Sequence, residues 1–138
     1  MSESAPKNIL FVCIENSNRS QMAEAFAKIH GRGVKAHSSG SRPSGIVNPK
    51  AIASMRELDY DLTRHASKSL EQIPQIEYDA VVTMGCGDAC PFVQAKFRED
   101  WAIPDPKHLP PDEFRKIRDL IETKVKVLLE QLATDSAL

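Results

Sequence analysis

A cysteine, an arginine and a serine near the N-terminus have the spacing of an oxyanion-binding loop. Cys13 is followed by five residues and then by Arg19 and Ser20, and this stretch lies between an apolar run and a helical pattern. A loop of this length can wrap so that its backbone N–H groups converge on a tetrahedral anion. The residues that we predict to bind the anion are Ile14, Glu15, Asn16, Ser17, Asn18 and Arg19.

The residue types in this loop would support nucleophilic chemistry on the bound anion. A helix that starts near Ser20 adds its positive N-terminal end, and the Arg19 guanidinium offers two parallel donors to anion oxygens. The same positive field favours the thiolate form of Cys13, which is the nucleophilic form. Ser20 can donate a hydrogen bond to that sulfur. Chance is the alternative, because a cysteine and an arginine six residues apart are common.

A proton donor is needed when a thiolate displaces a poor leaving group. The candidate is Asp105, which lies between Pro104 and Pro106 in a stiff turn. The alternative is a solvated turn aspartate, which is a common role beside proline.

A second loop carries the other two cysteines of the chain. Cys86 and Cys90 are four residues apart, and Gly85 and Gly87 flank the first of them. If Cys86 can approach Cys13, thiol–disulfide exchange could pass from Cys13 to Cys86 and then to Cys90. Two alternatives remain: a zinc site completed by Cys13 or a histidine, and a redox-inert pair.

Composition limits the classes of protein to which the chain can belong. The 138 residues and 15.3 kDa suit one domain spanning residues 1–138, with frayed ends at 1–6 and 133–138. Lys and Arg number 18 against 19 Asp and Glu, so charge favours neither a nucleic-acid nor a membrane partner. We expect no secretory signal, because the first six residues lack a basic start followed by an apolar stretch, and three cysteines argue against a secreted disulfide scaffold. We expect a cytoplasmic monomer without a metal or other cofactor.

The hydrophobic pattern predicts alternating strands and helices. Strands are predicted over 8–12, 34–38 and 78–84, helices beginning near Ser20, Pro49 and Pro111, a short helix or turn over 66–74, and mostly loop over 85–111. Such alternation indicates an α/β fold with a mainly parallel sheet. Because strands 8–12 and 78–84 each lead into a cysteine-bearing loop, both loops should lie at the same sheet edge.

These motifs together resemble the low-molecular-weight protein tyrosine phosphatase family, and within it the arsenate reductases. The resemblance covers roughly residues 8–131. It is carried by CIENSNRSQMAE (13–24), NPKAIASM (48–55), VVTMGCGDACP (81–91) and the Asp105–Pro106 pair. It implies a three-layer α/β fold with a four-stranded parallel sheet flanked by helices.

The resemblance also implies roles for individual residues. Cys13 matches the nucleophile, Arg19 and the loop backbone match the anion cradle, and Asp105 matches the acid. The remaining matches are Asn16, whose side chain fixes the shape of the loop, Ser20, whose hydroxyl lies near the thiolate, and the resolving cysteines Cys86 and Cys90.

The chain departs from the family pattern at three places. Asn18 stands where many relatives carry a second cysteine, so a disulfide at that position cannot form. Lys107 and His108 replace the aromatic residues by which the phosphatases grip a phosphotyrosine ring. Lys68 stands where some thioredoxin-linked reductases use an acidic potassium ligand, so we predict no potassium site and place the Lys68 ammonium there, near Glu24.

The motifs and the resemblance predict reduction of arsenate to arsenite through a Cys13, Cys86 and Cys90 disulfide relay. The expected reductant is thioredoxin, or glutaredoxin with a low-molecular-weight thiol. One alternative is a phosphatase that hydrolyses phosphate monoesters through a Cys13 phosphoenzyme. Another is a zinc- or oxyanion-binding regulator without turnover.

Overall fold

The computed structural model describes residues 6–84 and 93–136, which contain both strands and helices. The strands are β1 (Lys7–Cys13), β2 (Val34–Gly40), β3 (Ala80–Thr83) and β4 (Arg98–Asp100). The α-helices are α1 (Arg19–His30), α2 (Pro49–Arg56) and α3 (Pro111–Ser136), and single 3₁₀ turns occupy Leu62–Arg64 and Leu70–Gln72.

The four strands form one parallel sheet in the order β2-β1-β3-β4, which confirms the predicted fold class. β1 is central, with Val12 beside Thr83 of β3 and Cys13 beside Gly40 of β2. The carboxyl ends of β1 and β3 therefore lie at the same edge, where ligands bind in sheets of this kind.

The core has two parts because successive strand residues point to opposite faces of the sheet. Ile9 and Phe11 face a large cluster to which all three α-helices contribute. Leu10 and Val12 face a smaller cluster that includes Tyr78. These four β1 side chains are fully buried, so the strand that delivers Cys13 is fixed on both faces.

The two later helices begin where the sequence predicts. The Asn48 side chain accepts a hydrogen bond from the Lys50 N–H at 2.8 Å, and Pro49 occupies the first turn of α2. α3 starts at Pro111 and buries an apolar stripe, and its helical backbone continues to Ser136, into the segment expected to fray. Within the described ranges, no helix is both long and apolar enough to cross a membrane.

β4 lies within the segment 85–111, which is predicted to be mostly loop and which, between 93 and 110, is otherwise loop. The sequence pattern does not predict this short strand. Its three residues, Arg98 to Asp100, are exposed and charged, and they pair with Val81 to Thr83 of β3. An edge strand of this kind is held by backbone hydrogen bonds, so it leaves no hydrophobic pattern in the sequence. The short helix or turn predicted over 66–74 is the 3₁₀ turn Leu70–Gln72.

Candidate active site

The loop after β1 turns four successive carbonyl groups away from its centre. The carbonyl oxygens of Ile14, Glu15, Asn16 and Ser17 accept hydrogen bonds of 2.8 to 3.0 Å from the backbone N–H groups of Arg42, Ser44 and Asn48 and from the Gln21 side chain. The C=O and N–H of a peptide plane point in opposite directions. The loop N–H groups are therefore directed inward, as in an anion-binding nest.

Asn16 fixes the shape of this loop. Its backbone has a positive φ of 51°, a left-handed conformation that asparagine tolerates better than most residues. The buried side chain donates to Ser20 Oγ at 2.8 Å and accepts from the Lys68 N–H at 2.7 Å and from Gln21 Nε2 at 3.0 Å. The loop is thereby tied to α1 and to the segment around Lys68.

Cys13 Sγ lies at the floor of the loop, 2.8 Å from Ser20 Oγ. The Asn16 amide already donates to Ser20 Oγ, which leaves the serine hydrogen available to the sulfur. A hydroxyl that donates to sulfur stabilises the thiolate over the neutral thiol. The sulfur-bearing residue is only 3% exposed, so access to it is through the loop.

The N-terminal end of α1 completes the positive side of the site. The helix begins at Arg19, and the preceding Asn18 has a buried Oδ1 without a hydrogen-bond partner among the described residues. Arg19 Nη1 donates to the carbonyl oxygens of Met84 at 2.7 Å and Ile103 at 2.9 Å. These two bonds hold the guanidinium at the edge of the sheet where β1 and β3 end.

The structure places Asp105 at the same cleft as Cys13. The cleft has a volume of about 70 Å³ and is lined by Cys13, Ile14, Glu15, Ser17, Asn18, Arg19 and Asp105. It is small beside the ~300–1,000 Å³ of ordinary ligand pockets. A larger cleft of about 490 Å³ is lined by Lys7, His30 and Leu132 among others, and it includes none of the predicted site residues.

Cys86 and Cys90 lie outside the described residues, so the relay and the zinc alternative stay predictions. In the described ranges, 6–84 and 93–136, no three His, Cys, Asp or Glu side chains are grouped to hold a metal ion. Cys13 is present as a free thiol.

Behind the loop, sequence reasoning missed a chain of hydrogen bonds through His65. Its Nδ1 lies 2.9 Å from Gln21 Oε1, and its Nε2 lies 2.7 Å from the Tyr60 hydroxyl. Because Gln21 Oε1 can only accept, Nδ1 carries the proton and Nε2 accepts from Tyr60. Burial lowers the pKa of His65, against the opposing effect of Glu24, which favours this neutral form.

Lys68 and Glu24 lie close together, as the sequence predicts. Lys68 Nζ is 4.0 Å from Glu24 Oε1, and the carboxylate also binds Ser38 Oγ at 2.5 Å and Lys28 Nζ at 2.6 Å. Burial raises the pKa of Glu24, but His65, Lys28, Ser38 and Lys68 together outweigh it, and the pKa is lowered. The carboxylate therefore stays ionised behind the loop.

Gly40 is a second contributor that sequence reasoning missed. A Cβ atom there would lie 2.5 Å from the carbonyl oxygen of Ile14 and 2.9 Å from the backbone nitrogen of Asn16. Any side chain would push the loop away from the end of β2. The only signal in the sequence is a glycine two residues after the strand predicted over 34–38, which does not distinguish a close approach from a turn.

Comparison with known proteins gives the same family as the motifs. Residues 8–138 match the family model described as low molecular weight phosphotyrosine protein phosphatase. A glutaredoxin arsenate reductase of Synechocystis sp. is 37% identical over 130 residues, covering 92% of this chain and 99% of the relative. An arsenate reductase of Staphylococcus epidermidis is 40% identical over 125 residues, covering 87% of this chain and 94% of the relative.

Solved structures also resemble the chain. An arsenate reductase in the phosphate-binding state has a TM-score of 0.82 at 36% identity, over 91% of this chain and 98% of that one. A thioredoxin-dependent arsenate reductase of Corynebacterium glutamicum has a TM-score of 0.76 at 26% identity, over 97% and 65%. An arginine phosphatase of Geobacillus stearothermophilus has a TM-score of 0.80 at 26% identity, over 96% of both chains. With its sheet, its cysteine loop and these relatives in agreement, the chain belongs to the low molecular weight phosphotyrosine protein phosphatase family.

Proposed function

We propose that the protein reduces arsenate to arsenite, with Cys13 as the nucleophile. The observation that carries the proposal is the loop whose carbonyls from Ile14 to Ser17 are all held outward around the Cys13 sulfur. Inward N–H groups, the end of α1 and the Arg19 guanidinium suit a tetrahedral oxyanion with more than one negative charge. The two relatives at 37% and 40% identity are named arsenate reductases, which favours arsenate among such anions.

The reaction begins when the Cys13 thiolate attacks arsenic. An S–As bond forms and an As–O bond breaks, and Asp105 supplies a proton so that the oxygen leaves as water. Cys86 then attacks the Cys13 sulfur, and arsenite departs with the S–As electron pair. Arsenic has gained two electrons, and the two thiols have been oxidised to a Cys13–Cys86 disulfide.

Cys90 completes the relay by attacking Cys86. This releases Cys13 as a thiolate and leaves a Cys86–Cys90 disulfide, which a reductant must reopen. We propose thioredoxin in this role, because three cysteines suffice to move the disulfide away from Cys13. The relatives point both ways, since one is named a glutaredoxin arsenate reductase and one a thioredoxin-dependent enzyme. We propose that the protein is a monomer and acts in the cytoplasm, because thiols stay reduced in that compartment.

Phosphatase activity is the second candidate, because its first step uses the same thiolate and the same cradle. The structural resemblance to an arginine phosphatase over 96% of both chains favours it. In that reaction water hydrolyses a Cys13 phosphoenzyme, and Cys86 and Cys90 take no part.

One experiment separates the two functions. Arsenate-dependent NADPH oxidation and arsenite release are measured with thioredoxin and thioredoxin reductase, and in parallel with glutaredoxin, glutathione and glutathione reductase. We expect wild type to turn over with thioredoxin, and Cys86→Ser and Cys90→Ser to lose multiple turnover. Phosphate-ester hydrolysis that is equal in all three proteins, without arsenite, would identify a phosphatase.

Arg19→Lys tests the cradle independently of the reductant. A lysine keeps the charge but loses the planar pair of donors, so we expect kcat/KM for arsenate to fall by about 100-fold or more. Arg115→Lys, which lies on α3 away from the cleft, is the matched control and should retain activity. Equal kinetics for both variants would show that the loop is not the anion site.

A further inference from the structure

We propose that an ion pair between Glu15 and Lys107 narrows the mouth of the cleft above Cys13 and selects inorganic oxyanions against phosphate esters. The inference rests on the proposed function, because it concerns which anions reach the Cys13 sulfur. It assigns a specificity role to two side chains that the proposed chemistry leaves unused.

The pair links two segments that line the cleft. Glu15 lines it from the anion loop, and Lys107 follows Asp105, another lining residue, by two residues. Lys107 Nζ lies 3.2 Å from Glu15 Oε2 and 3.3 Å from Glu15 Oε1, so both carboxylate oxygens take part. The Lys107 N–H also donates to Asp105 Oδ1 at 3.0 Å, which connects the pair to the proposed acid.

Hydrogen bonds hold the backbone of both residues of the pair in place. The Glu15 carbonyl accepts from the Ser44 N–H and from Ser67 Oγ, each at 3.0 Å. The Lys107 carbonyl accepts from Lys50 Nζ at 3.1 Å, which ties this turn to the first turn of α2. An exposed ion pair is usually weak because two flexible side chains must be ordered. Here the backbones are already fixed, so less freedom is lost when the pair forms.

The charges explain why the two residues occur together. A carboxylate at Glu15 alone would repel a dianion entering the loop, since both carry negative charge. Lys107 neutralises that carboxylate while leaving it in place as one half of the bridge. Glu15 is 42% exposed and Lys107 43% exposed at the side chain, so the pair is partly desolvated but still reached by solvent.

Because the cleft is small, the bridge formed by the Glu15–Lys107 ion pair selects anions by size. A free arsenate or phosphate ion carries no group beyond its four oxygens and can lie within a cleft of about 70 Å³. The alcohol group of a phosphate ester must extend out of the mouth, where the side chains of Glu15 and Lys107 meet. Esters can therefore bind only if the bridge opens, which specifically disfavours them.

The test measures anion binding without turnover. Alkylation of Cys13 by iodoacetamide is followed by mass spectrometry of its peptide, with inorganic phosphate or phenyl phosphate as protecting anion. We expect wild type to need about tenfold more phenyl phosphate than phosphate for half-protection, and E15Q/K107M to bring this ratio close to one. An unchanged ratio in the double variant, or a wild-type ratio near one, overturns the inference.

The single variants give effects of opposite sign. K107M leaves the Glu15 carboxylate uncompensated, so the phosphate concentration for half-protection should rise about fivefold, whereas E15Q should lower it. E113Q/K116M removes a pair of the same 3.2 Å length on α3 and should change neither anion. Failure of phosphate to protect wild type at all would overturn the proposed anion site itself, whereas protection with variant-independent ratios overturns only the selection.

Discussion

Two groups of charged and polar side chains differ in where they lie and in what they hold. The loop network, comprising Asn16, Ser20, Gln21, Glu24, His65 and Lys68, lies behind the cysteine loop, and most of its members are buried. The helix clamp, comprising Ser54, Glu57, Asp112, Arg115 and Arg118, joins α2 to α3 nearer the surface.

The helix clamp is built around one carboxylate. Arg115 approaches Glu57 to 2.9 Å, and Arg118 approaches it to 2.8 Å while also donating to the Ser54 carbonyl at 2.9 Å. Hydrogen bonds from Arg115 and then Arg118 lower the pKa of Glu57 to about 2. Among the charged groups of the clamp, Arg118 is the buried one, at 7% exposure.

The loop network and the helix clamp differ in which part of the backbone they hold in place. Members of the loop network bind the backbone that surrounds Cys13, so a lost hydrogen bond there displaces the inward N–H groups. Members of the helix clamp bind one another and the α2 backbone, and none of the clamp residues lines the cleft. Variants in the first group should therefore impair activity, and variants in the second should impair stability alone.

In the comparison of these two groups, the largest effect is expected from Asn16→Ala. Its side chain holds the loop to Ser20 and to Lys68, so its loss should allow the loop to shift and lower kcat/KM for arsenate by about 100-fold. Steady-state kinetics measure this effect. Asn8→Ala, at the other end of β1, is the matched control. If Asn16→Ala retained activity within about threefold of the control, the loop network would have no positioning role.

Arg118→Met, in the helix clamp, should lower stability and leave activity unchanged, unlike Asn16→Ala in the loop network. The methionine replaces the apolar stem, but the Ser54 carbonyl and Glu57 lose a donor, so the free energy of unfolding should fall by about 2 kcal/mol. Urea denaturation measures the loss. Arsenate kcat/KM at a temperature where the protein is folded should match wild type. A parallel loss of activity would mean that the helix clamp also supports the site.

A pH series should distinguish the two groups by the pH range in which each affects stability. Burial lowers the pKa of His65 from the ordinary 6.5, so below that pH the unfolded chain binds a proton that the folded protein does not. Stability should therefore fall as pH decreases through 6.5. His37, whose pKa burial also lowers, adds an effect of the same sign. Glu57, with a pKa of about 2, should not contribute in this range.

His65→Gln tests this assignment because glutamine does not titrate. The decrease in the free energy of unfolding between about pH 7.5 and about pH 5.5 should be smaller in the variant than in wild type. His37 is unchanged in both proteins and serves as an internal reference. An identical decrease in both would assign the pH dependence to other groups.

The smallest effect is expected from Arg115→Met. This side chain is about two-fifths exposed, and its partners Glu57 and Asp112 remain in contact with solvent. An exposed pair contributes little because water screens it and its side chains are mobile. Urea denaturation should show a smaller loss than for Arg118→Met. An equal loss would contradict burial as the reason for the difference.

The sequence by itself determined most of the fold. The buried run of β1, the proline starts of α2 and α3 and the alternation of strands with helices are local hydrophobic and capping patterns, and each appears in the structure. The chain also placed Cys13, Arg19 and Ser20 around one turn, because residues that close together in sequence between a strand and a helix have few alternatives. β4 escaped detection because its three residues are exposed and charged, so its backbone pairing with β3 leaves no hydrophobic pattern in the sequence.

Only the tertiary structure decided how the cysteine loop is held and which side chains contact it. His65 reaches Gln21 across 44 residues of sequence and Lys107 reaches Glu15 across 92, and no periodicity encodes such distances. Gly40 likewise matters only because β2 lies beside β1 at that register. Hydrophobic and capping signals act within a few residues, whereas the partners of a buried polar group depend on which segments the folded sheet brings together.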